Sequence, residues 1–180
     1  MGFNPLIDKL PTEYGDFPIN TSFRQPLRFF RLLEDDDLDQ TEKDITTLTM
    51  FFPTWNYVRD MDKITRLASY IPYYISRGID FYDDSGEVVF DWELDSSRVY
   101  SAFMQVYSID LNEVDLHWWK FMTLFDSLPE DTKLQSVINI RGMTPPKRTK
   151  DNAEYVDSIN RLKRHYAIKE MGIASLWDSL

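Results

Sequence analysis

Apolar residues recur every three or four positions along most of the chain, a spacing that is typical of amphipathic α-helices. The clearest apolar face belongs to a helix expected to begin near Asp60 and consists of Ile64, Leu67, Ala68, Ile71 and Ile75. Similar spacing predicts further helices from Ser22, after Asp39 or Thr41, after Asp95 or Ser96, from Asn112 to Leu128, from Asp131 to Arg141, and from about Asn152 to Lys169. The pattern therefore predicts a mainly α protein, a compact bundle of about six or seven helices, in a single domain of residues 1–180.

The helical spacing also assigns faces to individual helices. The first helix should bury Phe23, Leu27, Phe30 and Leu33, and the last should bury Tyr155, Ile159, Leu162 and Tyr166. The helix from Asn112 is apolar on nearly every side, which is typical of a central core element or of a helix that lends a face to another subunit. We therefore take three of its aromatic residues as candidate partner-binding residues: Trp118, Trp119 and Phe121.

Both ends of the chain depart from this pattern. Residues 1–20 contain three prolines and the turn signal Tyr14-Gly15-Asp16, which together predict a short irregular hairpin. Residues 172–180 form a short amphipathic segment that is too short to be a stable helix alone, so it must dock on its own core or on a partner. Its apolar positions are a second set of candidate partner-binding residues: Ile173, Leu176, Trp177 and Leu180.

Two further signals concern the connections between helices. Around Asp83-Asp84-Ser85-Gly86, β-forming residues over 79–91 predict either a second small hairpin or an extended loop. Gly78, Gly142 and Gly172 each follow a segment with helical spacing, where a left-handed capping residue is expected.

Composition narrows the classes of function. The 180 residues include no cysteine and only two histidines, which leaves little material for thiolate metal sites or a Ser-His-Asp triad, so we expect a non-enzymatic protein without cofactor or metal. The net charge of −10 argues against nucleic acid as a partner. No apolar run approaches the roughly 20 residues of a membrane span, and the first ten residues lack the layout of a signal peptide, so we expect a cytoplasmic protein without a membrane partner.

Two local groups of residues suggest chemistry. The acidic run Glu34–Asp37 with Asp39 suggests a Ca²⁺ site or a contact with a basic partner. It lacks the spacing of an EF-hand loop. A solvent-exposed corner between two helices is therefore favoured. His117, with Glu113 and Asp115 nearby, is a candidate general base. Without a presented nucleophile beside it, a structural role for His117 is favoured.

Charge is distributed unevenly along the sequence. The stretch from Arg141 to Lys169 holds eight basic and three acidic residues, a net charge of +5, which leaves −15 for the rest of the chain. Such segregation favours attraction within one molecule or head-to-tail between copies, while a basic helix solvated on one face is the alternative. The candidate residues for charge-mediated assembly are Arg161, Lys163 and Arg164.

Residues 102–132 include three distinctive motifs: YSIDL at 107–111, LHWWKF at 116–121 and LPEDT at 128–132. In these motifs the chain resembles the bacteriophage gene-product-fifteen family of siphophage proteins, and the resemblance is strongest there. It also includes FPINTSFR at 17–24, LED at 33–35, VFD at 89–91, RGM at 141–143 and the basic helix at 161–167. Residues 54–86 match the family loosely, and residues 173–180 extend past the similar part.

The resemblance implies a mostly helical, non-enzymatic tail assembly chaperone that works in the host cytoplasm. Such a protein binds the tape measure protein while the tail tube assembles, and it is expected to form homo-oligomers along that client. The main alternative is a structural tail or head-tail connector component retained in the virion. A host-interaction protein and an enzyme rank below these two.

Overall fold

The described part of the chain is mainly helical, as predicted. A computed structural model describes residues 6–54, 60–75 and 88–168. Within these ranges lie a two-stranded antiparallel sheet and seven helices: β1 (Lys9–Thr12), β2 (Gly15–Pro18), α1 (Arg24–Leu33), α2 (Gln40–Phe51), α3 (Met61–Ile75), α4 (Ser96–Tyr107), α5 (Trp118–Asp126), α6 (Lys133–Gly142) and α7 (Ala153–Tyr166). Residues 79–87 of the second predicted hairpin, with Gly78 and Gly172, lie outside the described residues.

The chain forms two compact units. Unit one comprises Met1–Ile79 and Ile109–Ser127, and unit two comprises Asp80–Ser108 and Leu128–Leu180. Each unit therefore takes in a segment from the middle of the chain, which periodicity alone does not indicate. The single-domain organisation stays a prediction.

In unit one, α2 contacts both α1 and α3, and α3 also contacts β1. The predicted face of α3 is buried along its length, from Ile64 to Ile75, and Pro72 lies on the opposite, exposed side. Asp39 begins α2 through a capping box with Glu42, in which each side chain accepts a hydrogen bond from the other residue's backbone N–H. These local signals predicted the boundaries of both helices well.

The N-terminal hairpin is also confirmed. β1 and β2 pair antiparallel with Leu10 opposite Phe17, and Leu10 is buried under the hairpin. Gly15 begins β2 with a φ of 105°, a left-handed conformation that L side chains rarely adopt. The turn therefore depends on glycine at this position.

In unit two, α6 contacts both α4 and α7. Apolar side chains from the three helices form its core: Val99, Phe103, Leu134, Val137, Val156 and Ile159. Unit two also contains a buried charged side chain, that of Asp95. It has no solvent exposure, and it accepts hydrogen bonds from Arg141 Nη1 at 2.5 Å and Arg141 Nη2 at 3.1 Å.

Arg141 links Asp95 to two other parts of unit two. Its Nη1 also donates to the Val89 carbonyl at 3.1 Å, and its Nε donates to the Tyr166 carbonyl at 2.6 Å. Asp95 additionally accepts from Arg98 Nη1 at 2.8 Å. Asp95 or Ser96 was predicted as the N-cap of α4, and Asp95 is that residue, but its side chain makes no capping hydrogen bond and accepts from the two guanidinium groups instead.

The predicted faces of α1 and α7 are only partly correct, because Phe23 and Ile159 are buried as predicted but other members are not. In α1 the side chains of Phe29 and Leu32 are buried, whereas Leu33 is 50% exposed. In α7 the buried residues are Val156 and Ile159, whereas Tyr155 and Leu162 are exposed. In each helix the spacing was right, but the buried stripe lies partly on adjacent residues.

Two expectations about helix ends are also corrected. Gly142 is the last residue of α6, Met143 is its C-cap, and Gly142 does not have a positive φ. The left-handed cap occurs instead at Ser108 after α4, with a φ of 53° and its N–H bonded to the carbonyl of Met104.

The buried ion pair gives a stability prediction. Arg141→Met leaves the Asp95 carboxylate buried with only Arg98 as a charged partner, and breaking a buried pair in this way costs about 3–5 kcal/mol. We expect a loss of that size in the free energy of unfolding, measured by urea denaturation.

The exposed pair between Arg148 and Asp157 supplies the control, because both side chains are more than half exposed. Arg148→Met should change stability little. Combining Asp95→Leu with Arg141→Met should recover part of the loss, since the fully buried carboxylate is then removed together with its partner. Equal losses for Arg141→Met and Arg148→Met would contradict the assigned role of Asp95.

Candidate functional site

The segment before α5 is held in a non-helical conformation by Arg24. Its Nη1 donates to Asp115 Oδ1 at 2.9 Å, and its Nη2 donates to the carbonyls of Leu111 at 2.8 Å and Val114 at 3.3 Å. Carbonyls that accept from a distant guanidinium are directed away from a helical ladder. The helix predicted from Asn112 therefore begins only at Trp118.

His117 is the N-cap of α5. Its Nδ1 accepts a hydrogen bond from the Trp119 N–H at 3.1 Å, and this fixes the tautomer in which Nε2 donates to the Ile7 carbonyl at 2.9 Å. The backbone here pairs with the start of α1, because Trp118 N–H donates to the Thr21 carbonyl at 2.7 Å. Both ring nitrogens of the candidate general base are thus engaged with backbone groups.

Trp118 and Trp119 fasten α5 to the end of α3. Trp118 Nε1 donates to the Ile75 carbonyl and Trp119 Nε1 donates to the Tyr74 carbonyl, each at 3.2 Å. Each indole N–H thereby finds a backbone acceptor among the last described residues of α3. The Trp119 ring also lies 5.5 Å from the Tyr74 ring, measured between centroids.

An apolar cavity of about 580 Å³ opens beside Trp119 in unit one. Segments from the N-terminal hairpin, α3 and α5 meet there, although they are far apart in sequence. Tyr73, at its edge, is 80% exposed, whereas Tyr74 is only 1% exposed. The described lining residues are Ile7, Leu10, Pro11, Ser69, Tyr70, Tyr73, Tyr74 and Trp119.

The wall of this cavity is held in place by polar contacts. The Tyr70 hydroxyl accepts a hydrogen bond from the Glu13 N–H at 3.2 Å, which ties α3 to the hairpin turn. Ile7 is held by His117 and Trp119 by the Tyr74 carbonyl. The cavity is therefore a preformed apolar recess that can accept apolar side chains of a partner.

Tyr74 carries an unsatisfied polar group in this wall. Its hydroxyl is buried and has no hydrogen-bond partner among the described residues. Burial alone raises the pKa of the Tyr74 hydroxyl well above its usual value of 10.0. An apolar environment without a partner disfavours the charged phenolate in this way.

The structure places the predicted aromatic residues at different depths. Trp118 and Phe121 are each 1% exposed, and Phe121 stacks on Phe23 with ring centroids 4.7 Å apart. Because they are buried, these two side chains are not accessible to a partner. Trp119 is half-buried and reaches the cavity.

Sequence reasoning missed the tyrosines on α3. Tyr70 and Tyr73 lie off the apolar stripe of that helix, so spacing alone did not mark them. A usable signal was present, because two aromatic residues outside the buried stripe of a helix indicate an exposed apolar patch.

The predicted basic residues lie on α7 in unit two. Arg161 and Arg164 are exposed, whereas Lys163 is half-buried and donates to the Met143 carbonyl at 2.8 Å. The Arg148 guanidinium makes two hydrogen bonds to Asp157. Arg148 chiefly, with Arg161 and Arg164, lowers the pKa of the Asp157 carboxyl.

The other predicted partner-binding residues lie outside the described residues: Ile173, Leu176, Trp177 and Leu180.

Within the described ranges, no three His, Cys, Asp or Glu side chains are grouped so that they could hold a metal ion. None of the helices in these ranges is long and apolar enough to cross a membrane.

Comparison with known proteins identifies a match over most of the chain. The family model described as Bacteriophage Gp15 protein matches residues 6–168. The match includes the segment before α5, the cavity-lining residues and all of α7. No curated protein and no solved structure matches the chain.

The unpaired hydroxyl of Tyr74 gives a prediction. Tyr74→Phe removes a buried polar group that has no described partner, so we expect the free energy of unfolding to rise by about 1 kcal/mol at neutral pH. Because burial raises the pKa of Tyr74 in the folded state, the wild type becomes less stable as the pH rises above 10.0, where the unfolded chain releases this proton more readily. The advantage of Tyr74→Phe should therefore grow above pH 10.0.

Urea denaturation at neutral pH and at about pH 11 measures both effects. Tyr73→Phe is the matched control, because its side chain is 80% exposed and should give little change at either pH. A loss of stability in Tyr74→Phe at neutral pH would show that the hydroxyl has a partner.

Proposed function

The chain belongs to the Bacteriophage Gp15 protein family, and from that membership we propose that it is a tail assembly chaperone which binds the tape measure protein during tail tube assembly. It acts through protein–protein contacts and not as an enzyme. Its partners are the tape measure protein and further copies of itself, and neither nucleic acid nor a membrane. It works in the host cytoplasm, where phage tails assemble.

The apolar cavity beside Trp119 is the observation that supports client binding. A tape measure protein is a long helical client, and an amphipathic helix binds by inserting apolar side chains, spaced three or four residues apart, into a hydrophobic recess. A volume of about 580 Å³ can accommodate a small group of such side chains. The exposed Tyr73 ring at the edge adds an aromatic contact of the kind that is enriched in interfaces.

The candidate residues then divide between two roles. Trp119 contacts the client directly, and Trp118 and Phe121 support it from the core, where both are buried. Preformed walls favour binding because little side-chain entropy is lost on contact. The apolar residues of the C-terminal segment, from Ile173 to Leu180, remain a second proposed contact for the client or for a neighbouring copy.

Ser69→Glu tests the cavity directly. Ser69 lies on the exposed part of α3 at the cavity wall, so the substitution introduces a charge where the client would bury apolar groups. We expect at least about tenfold weaker binding of the tape measure protein, since an unpaired charge is costly to bury. The measurement is co-expression with the tape measure protein, followed by its soluble yield and co-purification.

Ser101→Glu is the matched control. Ser101 is an exposed serine on α4 whose hydroxyl donates to a backbone carbonyl in the preceding turn, as does that of Ser69. It should leave client solubility unchanged. A wild-type chain that does not keep the tape measure protein soluble would overturn the chaperone proposal.

The structural alternative has its own measurement. A chaperone is released before the tail is complete, so mass spectrometry of purified virions should not detect this chain. Detection at stoichiometric amounts would favour a tail or head-tail connector component.

A further inference from the structure

The exposed side of α7 carries a cluster of arginines. Arg148, Arg161 and Arg164 surround Asp157, and all three lower the pKa of its carboxyl. At 100° per residue, positions 157, 161 and 164 fall on one side of the helix. We call Arg148, in the loop before α7, together with Arg161 and Arg164 the basic face.

The basic face has a positive charge that its own neighbours do not neutralise. Asp157 is engaged by Arg148 through both carboxylate oxygens. Arg161 and Arg164 make no ion pair with another described residue. By the same helical geometry Leu162, 43% exposed, and Tyr155, 58% exposed, lie on a different side of α7, so the basic face is chiefly a charged surface.

Unit one presents a surface of the opposite character. Residues 34–37 join α1 to α2, and the side chains of Glu34, Asp35, Asp36 and Asp37 are exposed. Next to them Leu33 is 50% exposed. We call Leu33 to Asp37 the acidic corner.

The acidic corner also retains most of its charge. Asp35 accepts a local hydrogen bond from the Asp37 N–H, whereas Glu34, Asp36 and Asp37 make no side-chain ion pair with another described residue. The nearby Lys43 ammonium is directed to the Leu33 carbonyl at 3.0 Å. The carboxylates of the acidic corner are thus the charge complement of the guanidinium groups of the basic face.

We propose that the basic face of one copy binds the acidic corner of a second copy. The two surfaces are different parts of the same chain, so the contact is heterologous, and repeating it gives a ring or a head-to-tail row of copies. The inference deepens the self-association part of the proposed function, because a row of copies can cover a long client. Guanidinium–carboxylate pairs between the two surfaces set the orientation of the contact.

The test uses the purified full chain without any client, so it can fail while client binding succeeds. The weight-average mass is measured by analytical ultracentrifugation at about 20 mM and about 500 mM salt, because surface charges are screened within about 10 Å at 0.1 M salt. We expect assemblies larger than one chain at low salt that dissociate at high salt. A wild-type mass of one chain at low salt would overturn the proposal, as would assembly that disappears on nuclease treatment.

Charge reversal identifies the surfaces. Arg161→Glu with Arg164→Glu, and separately Asp36→Lys with Asp37→Lys, should each raise the dissociation constant for self-association at least tenfold. The control reverses two exposed lysines elsewhere, Lys9→Glu with Lys120→Glu, with the same change in net charge as the first variant. It should assemble like the wild type, and equal dissociation of this control would contradict the assigned surfaces.

Mixing the two reversed variants gives the decisive result. Each variant keeps one native surface that matches a native surface of the other, so an equimolar mixture should form assemblies of at least two chains. Circular dichroism first establishes that each variant is folded. A mixture that remains at the mass of one chain would show that the contact does not form between copies.

Discussion

Backbone carbonyls at helix ends have no partner within the helix, and in this protein side chains from other elements supply the missing donors. Glycine caps would be the common alternative, but the chain contains only six glycines, and among the described residues Gly15 alone has a positive φ. The long side chains that donate these hydrogen bonds therefore cap helix ends and also connect one secondary-structure element to another. The pairs are Lys43 to Leu33, Trp119 to Tyr74, Trp118 to Ile75, Lys163 to Met143, and Arg141 to Tyr166.

The candidate site is a consequence of this capping. Both indoles of the Trp118-Trp119 pair are oriented by carbonyls at the end of α3, and the neighbouring His117 ring is oriented by Ile7. Once these bonds are made, Trp118 lies in the core and Trp119 forms part of a recess. The recess is apolar because its described lining is mainly aromatic and aliphatic, and the indole of Trp119 and the hydroxyl of Tyr70 are bonded to backbone groups, whereas the buried Tyr74 hydroxyl has no described partner. A binding surface of this kind is rigid before any partner arrives, which favours recognition of apolar side chains over adaptive contact.

Features of the fold that depend on residues close together in the sequence were predicted correctly. The stripe of α3, the capping box at Asp39 and the hairpin turn at Gly15 each depend on residues within a few positions, and each was correct. The start of α5 was wrong because Arg24, nearly ninety residues earlier, claims carbonyls that a helix would use. For the same reason the sequence marked Trp119 but not the cavity, since Tyr70, Leu10 and Trp119 are joined only by tertiary contacts. When burial depends on contact with residues far away in the chain, it produces no periodic hydrophobic pattern in the sequence.

The number of basic residues in a stretch of sequence differs from the number whose charge is exposed at the surface. Arg141 belongs to the basic stretch, yet its guanidinium is buried against Asp95 and contributes nothing to an outer surface. Lys163 is half-buried and capped onto Met143, so the exposed charge of α7 is carried chiefly by Arg161 and Arg164. The basic residues therefore divide by burial into those that stabilise unit two and those that face solvent. Charges of the second kind add little to the stability of the fold, and their attraction is left for association with another surface.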